Sequence, residues 1–216
     1  MSITFLIIVI TSLTSFIAFS KQTMKEDLLF WPFRIKRQGQ LYRFITHGAL
    51  HADAMHLIFN MVSFYSFGIA LENYLFLALF GNLSRALLAI MYITAIIVAV
   101  IPDYFKYRDQ SFYRSLGASG AVSAVVFSAI TIQPKMPIQF FFIPYPIPGY
   151  VFGIGFLILS AVLAKKGGGN IGHNAHFWGS IYGVVFTYAA AKLLANIDLL
   201  QYFIKSVIGS SIPFQL

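Results

Sequence analysis

Six stretches of this chain are apolar over close to the thickness of a lipid bilayer: residues 2–20, 54–74, 83–102, 117–132, 148–164 and 174–195. A helix needs about 20 such residues to cross a hydrocarbon core of roughly 30 Å. Charged residues make up 10% of the chain and hydrophobic ones 58%, against roughly 25% charge in a soluble domain. The expected fold is therefore all-α, a polytopic membrane protein built as a six-transmembrane-helix bundle. Residues 1–216 read as one domain, with a core of about 1–195 and a short C-terminal tail at 196–216. No Lys or Arg precedes the first run, so it lacks a signal peptide's basic lead and is expected to remain as an uncleaved span.

The partner implied by this composition is the lipid bilayer. The net charge of +8 comes from Lys and Arg scattered through the loops. No basic stripe could follow a phosphate backbone, which argues for lipid head groups and no nucleic acid. With no cysteine present, disulfides and thiolate metal sites are excluded.

The connections differ in character. Residues 21–53 mix charge with Trp31, Pro32, Phe33, Tyr42 and Phe44, a composition suited to a loop resting at the membrane interface. Pro134, Pro137, Pro144, Pro146 and Pro148 rule out a regular helix over 134–148. Lys165-Lys166-Gly167-Gly168-Gly169-Asn170 is a flexible connection with the makings of a gate.

If the six runs cross in alternation, the second, fourth and sixth all start on one face. His51, His56, Asn60, Ser119 and His176 lie near those three starts. Polar groups in a membrane are expensive and face interior cavities, so their gathering implies a water-accessible pocket. Ser119 stands in Gly117-Ala118-Ser119-Gly120, where the glycines remove bulk and a helix N-terminus favours an anion. Taken alone, the tetrapeptide equally suits close helix packing. His176 has the chemistry of a general base, its ordinary pKa near 6.5 letting it take and return a proton. On the same helix Gly179 and Gly183 form a Gly-x-x-x-Gly pair that would press close to the Ser119 helix. A histidine buried only for packing is the rival reading. His56 and Asn60 share a helix face behind Asp53, an expected N-cap, and could donate to a tetrahedral oxyanion. A metal or haem site would have to use these histidines without a His-Glu-x-x-His motif or paired carboxylates. No metal and no cofactor is expected.

These three motifs, in this order and on one side of the membrane, resemble the rhomboid intramembrane serine proteases, over essentially residues 1–195. The resemblance implies a Ser119 nucleophile and a His176 base in a dyad without a carboxylate. His56, Asn60 and the Ser119 amide would line the oxyanion hole. It gives His51, Gly117, Gly120, Gly179 and Gly183 structural parts. Arg43, after Tyr42, matches a first-loop Trp-Arg element, and Glu72 a helix-end glutamate that fixes the bundle. Residues 165–173 match a loop capping the site. The implied substrates are single-span or other membrane proteins, and the implied location is a bacterial inner membrane with the site opening outward. The alternative is a catalytically silent rhomboid-like protein that binds membrane helices.

The chain departs from the family pattern at Ser123, where many members carry a tyrosine that stacks on the histidine; Phe177 or Trp178 is the expected substitute. It also conflicts with the charge rule. Eleven of the 15 Lys and Arg residues fall in loops 21–53, 103–116 and 165–173, which the family topology places outside and the positive-inside rule would place inside. The family topology is the one expected here.

Overall fold

The computed structural model describes residues 2–139, 144–166 and 172–209. Each of the six apolar runs falls on a helix. Helix α1 covers Ile3–Ser20. The first connection then folds into three short helices, α2 (Gln22–Leu28), α3 (Pro32–Gln38) and α4 (Arg43–Thr46). Helix α5 (Ala54–Ala70) passes through a π-helical turn at Leu71–Leu75 into α6 (Phe76–Phe80). After a turn at Gly81, whose φ of 56° suits glycine, α7 runs over Ser84–Tyr107. Helices α8 (Ser119–Ile132), α9 (Gly149–Lys166) and α10 (His173–Ala195) complete the bundle. Within the expected tail, α11 (Leu199–Ile208) packs through Leu199 and exposes Leu200, Ile204 and Ile208.

Among the described residues, four helical stretches are long and apolar enough to cross a membrane: Ile3–Ser20, Ala54–Tyr107, Gly149–Lys166 and His173–Ala195. The chain is a polytopic membrane protein. Helix α8, at 14 residues, is only roughly 21 Å long at 1.5 Å per residue. It has no need to meet lipid, because every residue from Gly120 to Ile132 is buried by its neighbours. Ser119 is the first residue of this short, enclosed helix.

Two boundaries differ from expectation. Helix α7 continues past Pro102 to Tyr107, because its last turn is held from outside: Asp103 is hydrogen-bonded to Tyr113 and Asn174, and Tyr104 packs on Phe44 at 5.3 Å. Conversely, residues 117–118 are not helical. Ser115 pairs with Phe30 in an antiparallel bridge and Gly117 takes φ 127°, so α8 starts two residues later than its apolar run. The proline-rich stretch forms a minimal antiparallel pair, β1 (Pro137–Ile138) with β2 (Ile147–Pro148).

The first loop is folded against the bundle. Arg43 is fully buried and gathers it: Nε donates to Gln40 at 2.6 Å, and Nη1 to the carbonyls of Glu26 and Leu29 at 2.9 and 2.8 Å. Trp31 lies between the guanidinium groups of Arg34 and Arg114, 4.1 and 4.0 Å from its ring, and donates to Ser111. At the opposite end Glu72, 1% exposed, accepts from the Ser2 hydroxyl and the amides of Ile3 and Thr4, and pairs with Arg85 at 3.1 Å. A carboxylate there satisfies open amides and complements the positive end of α1.

Candidate active site

Helices α8 and α10 lie in backbone contact. A methyl group added at Gly179 would collide with the carbonyl of Gly120, and one at Gly183 with the carbonyl of Ala124. The contact advances by four residues on both helices in the same direction, so α8 and α10 run parallel and start on the same side. Only glycine allows this approach. Gly120 in turn has Ala99 and Ala175 against it, with a built Cβ 2.6 Å from the Ala99 Cβ and 3.3 Å from the Ala175 carbonyl oxygen. It therefore serves helix packing. Ser119 and His176 flank this contact as neighbours of Gly120 and Ala175. Both are half-buried, and they are not hydrogen-bonded to each other in this structure.

Asp53 caps α5, its Oδ1 accepting from the His56 amide at 2.8 Å, as the sequence implies. That fixes the turn carrying His56. The His56 Nδ1 faces the Ala52 amide at 3.5 Å, which leaves the ring hydrogen on Nε2. The Cε1–Nε2 edge of the ring lies against Gly117: a Cβ there would be 3.0 Å from His56 Cε1, 3.3 Å from His56 Nε2 and 3.9 Å from the Ser119 amide nitrogen. Two N–H donors thus border one small space beside Ser119. Gly117 keeps it open, and its own amide is anchored to the His47 carbonyl at 3.0 Å. Asn60, on the same face of α5, is buried and uses one amide hydrogen on the His56 carbonyl at 2.9 Å.

His51 lies behind His56, ring centroids 5.0 Å apart. The Ser15 hydroxyl donates to the Ala49 carbonyl at 2.8 Å and lies 2.9 Å from His51 Nδ1. One hydroxyl has one hydrogen, so Nδ1 is the donor to Ser15 and Nε2 is a bare acceptor, buried without a partner. Burial, with His56 adding and Asp53 opposing, pushes the His51 pKa down to about 3. The ring is a neutral support.

Around His176 the structure supplies what the sequence did not reveal. The aromatic neighbours are Phe156 of α9 and His173, each 5.9 Å away by ring centroid, whereas Phe177 and Trp178 face one another at 5.5 Å. Phe156 occupies the role expected of Phe177 or Trp178. Its position in a uniformly apolar run carried no signal of that. Residues 167–171 of the expected capping loop lie outside the described residues. Arg43 and Glu72 sit away from Ser119, in the first loop and at the far end of the bundle. Among the described residues, no three His, Asp or Glu side chains converge as a metal site would need.

A sequence model of the rhomboid domain matches residues 38–193. The chain is 31% identical over 177 residues, 77% of its length, to RHOMBOID-like protein 12, mitochondrial, of Arabidopsis thaliana, and covers 51% of that protein. It is 25% identical over 193 residues, 88% of its length, to Rhomboid protease GlpG of Haemophilus influenzae, and covers 92% of it. It thus spans about half of the first relative and nearly all of the second. With the domain match covering most of a helical bundle whose serine and histidine helices start side by side, the chain belongs to the rhomboid family.

Proposed function

We propose that this chain is an intramembrane serine endopeptidase that cleaves transmembrane segments of other membrane proteins through Ser119 and His176. The observation that carries this reading is the parallel, glycine-mediated contact of α8 and α10, which brings the first turns of both helices close to one another. Ser119 Oγ attacks the scissile carbonyl carbon as His176 takes its proton. The resulting oxyanion is received by His56 Nε2–H, the Ser119 amide and the second amide hydrogen of Asn60. Collapse of the tetrahedral intermediate expels the amine with the proton from His176, and water activated by the same imidazole releases the acyl group. The Ser119–His176 hydrogen bond closes when substrate binds; such bonds are often long in unliganded enzymes. Helical substrates hide their carbonyls in hydrogen bonds, so segments with helix-weakening residues are preferred.

Labelling by a fluorophosphonate tests the assignment. The wild-type chain should react at Ser119, and His176→Ala should abolish the reaction while leaving the protein folded. Labelling that survives His176→Ala removes the histidine from the mechanism. A folded chain that neither labels nor cleaves a model transmembrane substrate, yet binds it, would be the silent helix-binding relative instead.

The same reading opens the site to the outer face of a bacterial inner membrane, against the charge bias of the loops. The chain has no cysteine, and Leu41 and Leu83 are exposed at opposite ends of the bundle. In intact cells Leu41→Cys should react with an impermeant maleimide and Leu83→Cys should not; the reverse pattern inverts the topology.

A further inference from the structure

Asp103 is a buried carboxylate, 3% exposed, on the last turn of α7, and the reaction proposed above gives it no part. A carboxylate withdrawn from water needs partners, and both its oxygens have one. Oδ2 accepts from the Tyr113 hydroxyl at 2.8 Å and Oδ1 from the Asn174 side-chain amide at 2.6 Å. The two donors arrive from different parts of the site. Tyr113 belongs to the connection that leads into Ser119 and is stacked on Tyr107 at 3.8 Å. Asn174 is in the first turn of α10, two residues before His176.

Apart from Asp103, that first turn is held through Ala175, which lies against Gly120 at the start of α8. Residues 173–177 are only half-buried, and Gly172, which precedes them, offers no side-chain cap. The tight glycine contact begins a turn later, at Gly179. Asp103, by contrast, stands on α7, whose Ala99 is packed against Gly120 at the start of α8. A carboxylate on this frame, bonded to the turn that precedes the imidazole, controls how far that turn can drift from the serine.

We infer that Asp103 is a positioning residue for His176, acting through Asn174 to set where the first turn of α10 stands relative to Ser119. The inference rests on the reading of His176 as the base. Reacting groups displaced by about 1 Å can lose roughly a hundredfold in rate, so a loosened turn should register in catalysis before it registers in folding.

The bond is reversible in sense, which gives a direct test. Asp103→Asn leaves one carbonyl oxygen for two donors and replaces a charged hydrogen bond by a neutral one, so it weakens the link to position 174; Asn174→Asp brings two carboxylates together and removes the donor. In the double variant the amide at position 103 can donate to the carboxylate at position 174, while its carbonyl accepts from Tyr113. The measurements are kcat and KM on a model transmembrane substrate, hydrogen exchange of the residue 174–178 amides, and the thermal midpoint in detergent. Asn174→Asp should lower kcat per folded molecule roughly ten- to a hundredfold and Asp103→Asn by less; both should leave KM nearly unchanged and speed exchange in that turn. The double variant should recover most of both losses. Tyr113→Phe, which only deletes a hydroxyl, should give a smaller fall in kcat and serves if a variant at position 103 does not fold. A double variant no better than the singles, a loss confined to KM, or a kcat that falls only with the folded fraction overturns the inference. So does Asp103→Ala, which removes both acceptors, leaving exchange in that turn unchanged. If the wild-type chain neither labels nor cleaves, the dyad reading has failed, and the exchange measurements still decide whether Asp103 holds the turn.

Discussion

At the end of the bundle where α1 and α7 begin, the buried carboxylate of Glu72 has partners on both oxygens: a hydroxyl, two amides and Arg85. At the other end, where α5, α8 and α10 begin, the Nε2 atoms of His47 and His51 are buried with no partner, the His56 ring edge lies against Gly117, and Ser119 heads a helix with no side-chain cap. Both ends bury polar groups, but at the first the carboxylate is satisfied on both oxygens, with the Thr4 hydroxyl alone left over, whereas at the second imidazole nitrogens stay open. Satisfied groups hold a structure in place, while groups with open valences can receive a substrate. Substitutions at the two ends should therefore separate activity from stability.

The largest separation is expected at Ser119. Ser119→Ala removes the nucleophile, which in serine hydrolases lowers kcat by about 10⁴-fold or more, and it touches no packing contact. Turnover of a transmembrane substrate should vanish while the thermal midpoint in detergent stays put. Retained turnover would mean that the open end is not the reacting end. Next comes the seam that supports the site. Gly179→Val must force its side chain into the Gly120 backbone, and overpacking of this kind typically costs about 1–3 kcal/mol or more. Both stability and labelling of Ser119 should fall together; an unaffected midpoint would show that the helices can separate freely, leaving the dyad without a frame. Smaller again is Glu72→Ala, which uncaps α1 at a cost of about 1–2 kcal/mol. The midpoint should drop, but the activity of the protein that remains folded should be unchanged. A lowered kcat per folded molecule would show that the two ends are coupled.

Much of this division was legible in the sequence, because the features that encode it are local. Apolar run length marks each helix to within a few residues. Asp53 three residues before His56 reads as a cap, and Gly179 with Gly183 reads as a close-packing face. What could not be read depends on contacts far apart in the chain. Phe156 is one apolar residue among many until α9 is laid beside α10. Asp103 gains meaning only when Tyr113 and Asn174 reach it from separate elements. The start of α8 was misplaced because Phe30, 85 residues before Ser115, holds the preceding segment extended, and no local signal at Gly117 reports that.

The smallest expected effect tests whether the open end is sealed from water when no substrate is present. Burial pushes the His47 pKa down to about 4 and, with the charge of His56 adding to it, the His51 pKa to about 3; in the unfolded chain both lie near 6.5. Between those values the unfolded state binds more protons than the native one, so stability is fully present above about pH 6.5 and is lost as pH falls toward the native-state values. From pH 7.5 to 6.0 each histidine should remove about 1 kcal/mol, read as a falling thermal midpoint. His47→Gln combined with His51→Gln should flatten that slope whatever it does to stability at pH 7.5. Hydrogen exchange should locate the loss: amides at residues 47–51 should open faster on acidification, while those of Ile3 and Thr4, capped by Glu72, should not respond in that range. A midpoint independent of pH would mean that water already reaches the two imidazoles. The contrast between a satisfied end and an open one would then reduce to a contrast between a dry end and a wet one.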